Sequence, residues 1–341
     1  MRQRGEAVTV QRRANQADIA ERLGVSVSTV SRALANEIGI SDAVRRDVQR
    51  MARTLGYKSK HNMAAVSGDK RAVALVPLGS ATSGLSGFYF GIVEGMRTQA
   101  AAAGMALDVR LVNESVVTLD LIKKQIAQAD AGGLLLAGID AWEELAAWSN
   151  EAEVPVVLVN GSDPKMRVSS VSPANYYGAY MATQRLLDAG HRKILHYTHR
   201  NRPTIRQRLR GFEQAIAMTP GAVGTVVNTD ERHTRELLAD MLAGKHDITA
   251  AFIWNDIAAV EMLEGIYGAD SPLPQNFSII GFDDLPLAGM ATPRLSTTRV
   301  DREAIGRGAV RLLAEHMDGE AAVQQLEIGV TMVEGETVFP G

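Results

Sequence analysis

The sequence predicts a small all-α head joined to a two-lobed α/β core of parallel sheets, and three observations carry that prediction. Residues 15–34, NQADIAERLGVSVSTVSRAL, hold two short apolar-faced segments separated by a glycine. From Arg71 onward, short runs of Val, Leu, Ile and Ala alternate with longer helix-patterned segments in two successive rounds. Charge divides along the same line. The first 60 residues carry twelve Lys or Arg against six Asp or Glu, a net of +6, which leaves −9 for the other 281 residues of a chain whose total is −3.

The head is read first. Residues 1–13 form a polar, basic tail. Ile19, Ala20 and Leu23 stand at helical spacing, and Gly24 supplies the left-handed residue that ends a helix cheaply. Ser26 is an N-cap residue type where a second helix should begin, and Val30 and Leu34, four apart, would pack that helix on the first. Two short helices joined by a tight glycine turn make a helix-turn-helix, whose second helix enters the DNA major groove. Its candidate DNA contacts are Ser26, Val27, Ser28, Thr29, Ser31 and Arg32. Arg32 has two donors for O6 and N7 of a guanine, the hydroxyls suit phosphates or bases, and Val27 suits a thymine methyl. The alternative is a plain helical hairpin with a solvated arginine. Ser41 is placed to cap a third helix, on which Val44, Val48, Met51, Ala52 and Leu55 form the apolar stripe that covers the first two. Gly56 ends it, so the head spans 14–58 and its excess of positive charge faces phosphate.

Residues 59–70 are short, polar and without period, as a linker is; the alternative to a DNA role for them is a plain tether. The core, 71–341, begins with RAVALVPL, a buried strand, and a helix from about Phe88 to Gly104. MALDVRLV, GGLLLAG and VPVVLVN follow as further strands, and RKILHYT, GAVGTVVN, AAFIWND and FSIIGFDD make a second round. Apolar runs alternating with helical segments argue for parallel sheets wrapped by helices. Two rounds give two Rossmann-like lobes, with the ligand expected beyond the carboxyl ends of the strands, in the cleft between them.

The run DIAERLGVSVSTVSRAL resembles the start of the LacI/GalR family of bacterial transcription regulators, whose signature reads D-V-A-x-x-A-G-V-S-x-x-T-V-S-R. The match continues through Ser41 to Leu55-Gly56-Tyr57, and later segments resemble the family's sugar-binding core, which is itself similar to periplasmic sugar receptors. The resemblance implies a repressor that binds palindromic operator DNA as a homodimer in the cytoplasm, controlled by a small effector, a sugar or sugar acid, in the interlobe cleft. It also implies a hinge helix at 59–70 that wedges a leucine into the minor groove. Val66 stands at that leucine's place and Met63 where a small alanine is usual.

In the core the resemblance points to Phe88 and Tyr89, whose rings would cover a sugar face or else pack at a helix start. It points equally to Asn160, where an acid is common, to Arg208 in RLRGF, to Asn255 in WND and to Asp283 in GFDD. Asp256 and Asp284 are expected to be structural, bonding backbone amides of adjoining turns. Ala174-Asn175-Tyr176-Tyr177-Gly178 departs from the family's Asp-Asn pair, a change expected to alter a lobe or capping contact. TTRVDREAIGR resembles a crossover, so segments 71–172 and 300–325 would form the first lobe, and 173–299 with 326–341 the second.

The sequence also argues against other functions. The chain has no cysteine, so disulfides, thiol catalysis and Cys-based zinc sites are excluded. Its seven histidines include no HExxH, and His191, His196 and His199 are expected to be solvated or capping. No metal, cofactor or catalytic residue is expected: no GxGxxG lies between a strand and a helix, and neither a GxxxxGK[ST] nor a GxSxG occurs. No run of about 18 apolar residues suggests a membrane span, and the N-terminus lacks the apolar stretch of a secretion signal. Competing functions are a sugar receptor without regulatory DNA binding, an enzyme on a Rossmann-like fold, and a purine- or nucleoside-responsive regulator of the same architecture. The C-terminus, GVTMVEGETVFPG, reads as a closing strand rather than a tetramerising heptad.

Overall fold

The structure, a computed structural model, describes residues 15–34, 40–41, 44, 47–48, 50–52, 55, 70–78, 87–199, 202–229, 233–243, 247–267, 276–319 and 322–341. It separates into two units, 1–70 and 71–341. The tail 1–13 and linker positions 59–69, with Met63 and Val66, lie outside the described residues.

In the head the first helix is Gln16–Leu23. Asn15 caps it: its Oδ1 accepts from the amides of Ala17 at 2.8 Å and Asp18 at 3.1 Å, while Asp18 Oδ2 accepts from the amide of Asn15 at 2.7 Å. This reciprocal box satisfies amides that a helix start otherwise leaves to water. Gly24, with φ +66°, closes the helix as expected. The second helix is Val27–Leu34, and Ser26 Oγ accepts from the amide of Thr29 at 3.0 Å. Ile19, Ala20, Val30 and Ala33 are buried together with Val48 and Ala52, flanked by Leu23, Leu34, Val44, Met51 and Leu55. The described residues from 44 to 52 are helical, and Ser41 Oγ accepts from the Val44 amide at 3.4 Å, so the third helix packs by the stripe its sequence shows.

The described strands of the core are β1 (Lys70–Pro77), β2 (Met105–Val112), β3 (Gly133–Ala137), β4 (Val156–Val159), β5 (Ser169–Pro173), β6 (Lys193–Thr198), β7 (Val223–Asn228), β8 (Ala250–Ile253), β9 (Ser278–Ile280), β10 (Thr297–Val300), β11 (Gln325–Ile328) and β12 (Val330–Val333). One sheet has the order β11-β5-β4-β3-β1-β2 and another β7-β6-β8-β9, while β10 and β12 pair antiparallel. β3 and β4 are buried along their whole length, which is why they read as unbroken apolar runs rather than alternating ones.

The chain passes between lobes after β5, after β10 and after β11. The last passage is later than the expected break at 325. Gln325–Ile328 is a strand of the first sheet, paired parallel in register with Ser170–Pro173 of β5. The helices Phe88–Ala102 and Arg302–Met317 pack together in the first lobe at glycine contacts. A Cβ on Gly306 would lie 2.0 Å from the Ile92 carbonyl oxygen, and one on Gly95 2.1 Å from that of Glu303, so only glycine admits this approach.

Candidate functional site

The helix Pro203–Met218 starts with a proline, whose fixed φ suits a first turn, and brings Arg208 into the second lobe beside the carboxyl ends of its strands. Arg208 is only 3% exposed. Its Nε donates to Asn175 Oδ1 at 2.8 Å, one Nη donates to the Trp254 carbonyl, and the other lies 3.4 Å from Asp283 Oδ1. The guanidinium carbon sits 3.6 Å from the centre of the Phe282 ring, a cation-on-aromatic contact. Asp283 has φ +116°, and its carbonyl accepts from Arg302 at 2.8 Å. Burial pushes the Asp283 carboxyl up to about 6, against the opposing pull of Arg208 and Arg302.

Asn255 closes β8, and its Oδ1 accepts from the Ala258 amide at 2.9 Å, capping the helix that follows. Asp256 is structural as expected. It accepts from the Leu285 amide at 2.8 Å and from the Thr297 hydroxyl, and burial holds its carboxyl well above the usual range. Asp284 departs from expectation: its carboxylate takes the Arg299 guanidinium at 2.6 Å rather than a backbone amide. The reason is register, since the bridge between Asp283 and Arg299 brings that arginine alongside.

The first lobe supplies the opposite wall. Tyr89 is buried, and its hydroxyl accepts from Asn160 Nδ2 at 3.1 Å. Burial raises the Tyr89 hydroxyl above its ordinary pKa. Phe88 meets Tyr89 edge to face, with ring centres 5.3 Å apart. The pair therefore packs at the helix start, with the tyrosine hydroxyl aimed at Asn160 rather than its ring laid open as a platform. Asn160 holds φ +52°, and its carbonyl accepts from Arg202 at 2.6 Å. Arg202 Nε reaches Asp140 Oδ2 at 3.2 Å. Arg202 belongs to the second lobe, whereas Asp140 and Asn160 follow β3 and β4 of the first, so this bridge joins the two walls.

Sequence reasoning missed Arg202, Asp140 and Asn175. The signals were an arginine directly before a helix-starting proline and an aspartate just past GGLLLAG. Asn175 was noted only for the acid missing beside it, and it proves to orient Arg208.

Two of the three clustered histidines are buried, not solvated. His191 bonds Thr249, Ser278 and the Phe339 carbonyl. His196 is stacked on Phe252 at 4.7 Å and Phe212 at 5.0 Å, and burial lowers it to about 4, so it is neutral. Among the described residues no group of three or more His, Asp or Glu is arranged to hold a metal, and no helix is long and apolar enough to cross a membrane.

In the head, Ser26, Val27, Ser28, Ser31 and Arg32 are exposed along the second helix and its cap, with Thr29 half-buried. Val27 is 46% exposed, open enough for an apolar group to meet a partner. The hydroxyls of Ser26, Ser28 and Thr29 form one cluster, with Ser26 Oγ 2.9 Å from Ser28 Oγ and 2.8 Å from Thr29 Oγ1. Ser26 is thus committed to capping.

A helix-turn-helix head on a two-lobed core, with a buried arginine cluster at the strand ends, defines a DNA-binding regulator with a small-molecule receptor as its body. Comparison with known proteins agrees. The model of bacterial regulatory proteins of the lacI family matches residues 17–60, and that of the periplasmic binding protein-like domain matches residues 183–338. The chain is 28% identical to the HTH-type transcriptional repressor CytR of Escherichia coli K12 over 339 residues, covering 96% of each. It is 24% identical to the repressor PurR of Photobacterium profundum over 307 residues, covering 88% of this chain and 91% of that one. A complex of the transcriptional regulator CelR with cellobiose superposes with a TM-score of 0.67 at 25% identity, covering 95% of this chain and all of that one. The chain thus combines a lacI-family DNA-binding head with a periplasmic-binding-protein-like core, the arrangement of the LacI-type bacterial transcription regulators it is similar to.

Proposed function

We propose that this protein is a repressor that binds a palindromic operator as a homodimer in the cytoplasm and is released from it, or held on it, by a sugar-like effector between the lobes. The observation that carries the effector half is Arg208, buried at the strand ends on Asn175, Asp283 and Phe282. Such a desolvated, pre-positioned fork suits neighbouring hydroxyls. The exposed row of Val27, Ser28, Ser31 and Arg32 supports the DNA half, with Arg32 reading a guanine. One head covers too few base pairs for useful specificity, which is why a two-fold dimer is proposed. An effector acts only through unequal affinity for two lobe arrangements, a coupling typically of about 1–3 kcal/mol.

A purine or nucleoside effector is the second reading. Trp254 and His199, edge to face at 4.4 Å just past the ends of β8 and β6, favour it as an aromatic wall for a planar ring.

Selection of bound fragments from sheared DNA of the source genome tests the regulator. Enrichment of one palindrome is expected, and uniform recovery by charge alone would remove the operator reading. Release of that fragment is then titrated with sugars and nucleosides. Consumption of any bound effector would show an enzyme instead.

A further inference from the structure

We infer that the cleft selects an uncharged, hydroxyl-bearing effector and rejects its anionic counterpart, because the guanidinium at its mouth, Arg202, is already paired with Asp140 across the lobes. The inference rests on the effector reading above and narrows it, since a sugar and a sugar acid fit that reading equally.

Arg202 immediately precedes the helix Pro203–Met218 of the second lobe, and Asp140 follows β3 of the first. Their side chains are 25% and 21% exposed and their charged atoms are 3.2 Å apart. A second guanidinium nitrogen of Arg202 donates to the Asn160 carbonyl at 2.6 Å, so two of its donors point at first-lobe oxygens. Arg208, deeper in, is likewise faced by the carboxylate of Asp283.

An anion brought to Arg202 must come within a few ångströms of Asp140. Two carboxylates would then share one guanidinium in a poorly solvated place, and their repulsion offsets what the arginine offers. A hydroxyl meets no such conflict. It accepts from the guanidinium and donates to the carboxylate at once, inserting into the bridge without changing its net charge. Asn160, whose amide ties to Tyr89, holds its carbonyl in place as a further acceptor for a ligand donor. Arg202 and Asp140 together are thus the discriminating pair, and Asp140 is the half that excludes acids.

The test is calorimetric titration of the full-length protein with matched neutral and anionic probes: cellobiose and cellobionate, ribose and ribonate, adenosine and AMP. For wild type, at least one neutral probe binds, and its anionic partner is expected to bind about tenfold more weakly or worse. Asp140→Asn leaves Arg202 without a carboxylate, so the ratio should shift toward the anion by about tenfold. Arg202→Gln leaves Asp140 alone and should shift it the other way, which guards against misreading a variant that is merely unstable. An anion that binds wild type as well as its neutral partner, or a ratio that neither substitution moves, overturns the inference while sparing the effector reading. No heat from any neutral probe, with the operator still bound, overturns the sugar and nucleoside readings themselves and this inference with them.

Discussion

Arg208 and Asp283 form an ion pair shut away from water, with Nη2 3.4 Å from Oδ1, and the arginine gives its better hydrogen bond to Asn175 at 2.8 Å. That inequality explains the aspartate. A contact at 3.4 Å is too long to compensate for full burial, so desolvation outweighs the guanidinium and the carboxyl titrates near 6. The arginine, anchored by Asn175, the Trp254 carbonyl and the Phe282 ring, stays where a ligand at the strand ends would find it.

Asp283 therefore gives stability a definite pH dependence. Its carboxyl is raised in the folded core, so the folded state holds the proton more tightly than the unfolded chain. The associated stabilisation is fully present below the unfolded value near 4 and is lost as pH rises through about 6. Asp283→Asn should remove this dependence of about 3 kcal/mol. Urea unfolding at intervals between pH 4 and 7 checks it: the stability of the variant relative to wild type should rise between pH 4 and 6, whatever slope Asp256, raised by the same cause, and His196, lowered to about 4 and acting with the opposite sign, give to both profiles. Parallel profiles would show that Asp283 titrates normally.

Gly306→Ala tests the seam between the helices Phe88–Ala102 and Arg302–Met317. Its Cβ would sit 2.0 Å from a backbone oxygen, which cannot rotate away as a side chain can. The helices must separate, at a cost of about 1–3 kcal/mol or more. Thermal unfolding of the core should shift down by several degrees, whereas Gly319→Ala, at a position with open space but φ +72°, pays only for its backbone.

How much of this was legible follows from burial. β3 and β4 announced themselves because both their faces are covered. β5, SSVSP, did not, because Ser169 spends its hydroxyl on the Gln324 amide at 2.9 Å and on His316 at 2.7 Å, and such serines look like loop. β11, QLEI, is only half-covered and four residues long, which displaced the last lobe boundary. Arg208, Asn255 and Asp283 were pointed to by the family resemblance of the short runs RLRGF, WND and GFDD that hold them. Arg202 and Asp140 were not, since an ion pair between residues 62 apart leaves no local pattern. The buried polar bonds of His191 were hidden for the same reason: its partners, Ser278 and Phe339, come from distant segments.

Arg32→Ala addresses the reading helix alone. Arg32 is exposed on the second helix of the head, whose core of Ile19, Ala20, Val30 and Ala33 it does not enter. The head should fold normally, and operator affinity should fall by about 1–3 kcal/mol with base preference relaxed at one position in each half-site. Competition binding against operators substituted base by base measures this. An equal loss on every sequence would make Arg32 a phosphate contact instead.

Arg208 separates recognition from stability, provided the right substitution is chosen. Arg208→Ala leaves Asp283 buried without its cation and opens space over Phe282, and removing one partner of a buried pair typically costs about 3–5 kcal/mol. Loss of effector response in that variant is therefore ambiguous on its own. Arg208→Lys keeps the charge near Asp283 but replaces a planar fork by a single ammonium, which cannot serve Asn175, the Trp254 carbonyl and Asp283 from their present positions. The lysine variant should unfold within a few degrees of wild type, bind operator normally and respond to effector at least tenfold more weakly, a difference of about 1.4 kcal/mol. Titration of operator release beside a thermal melt of the same sample decides it. A lysine variant that melts and responds like wild type would place Arg208 in the framework of the second lobe and move effector recognition to the Arg202 wall.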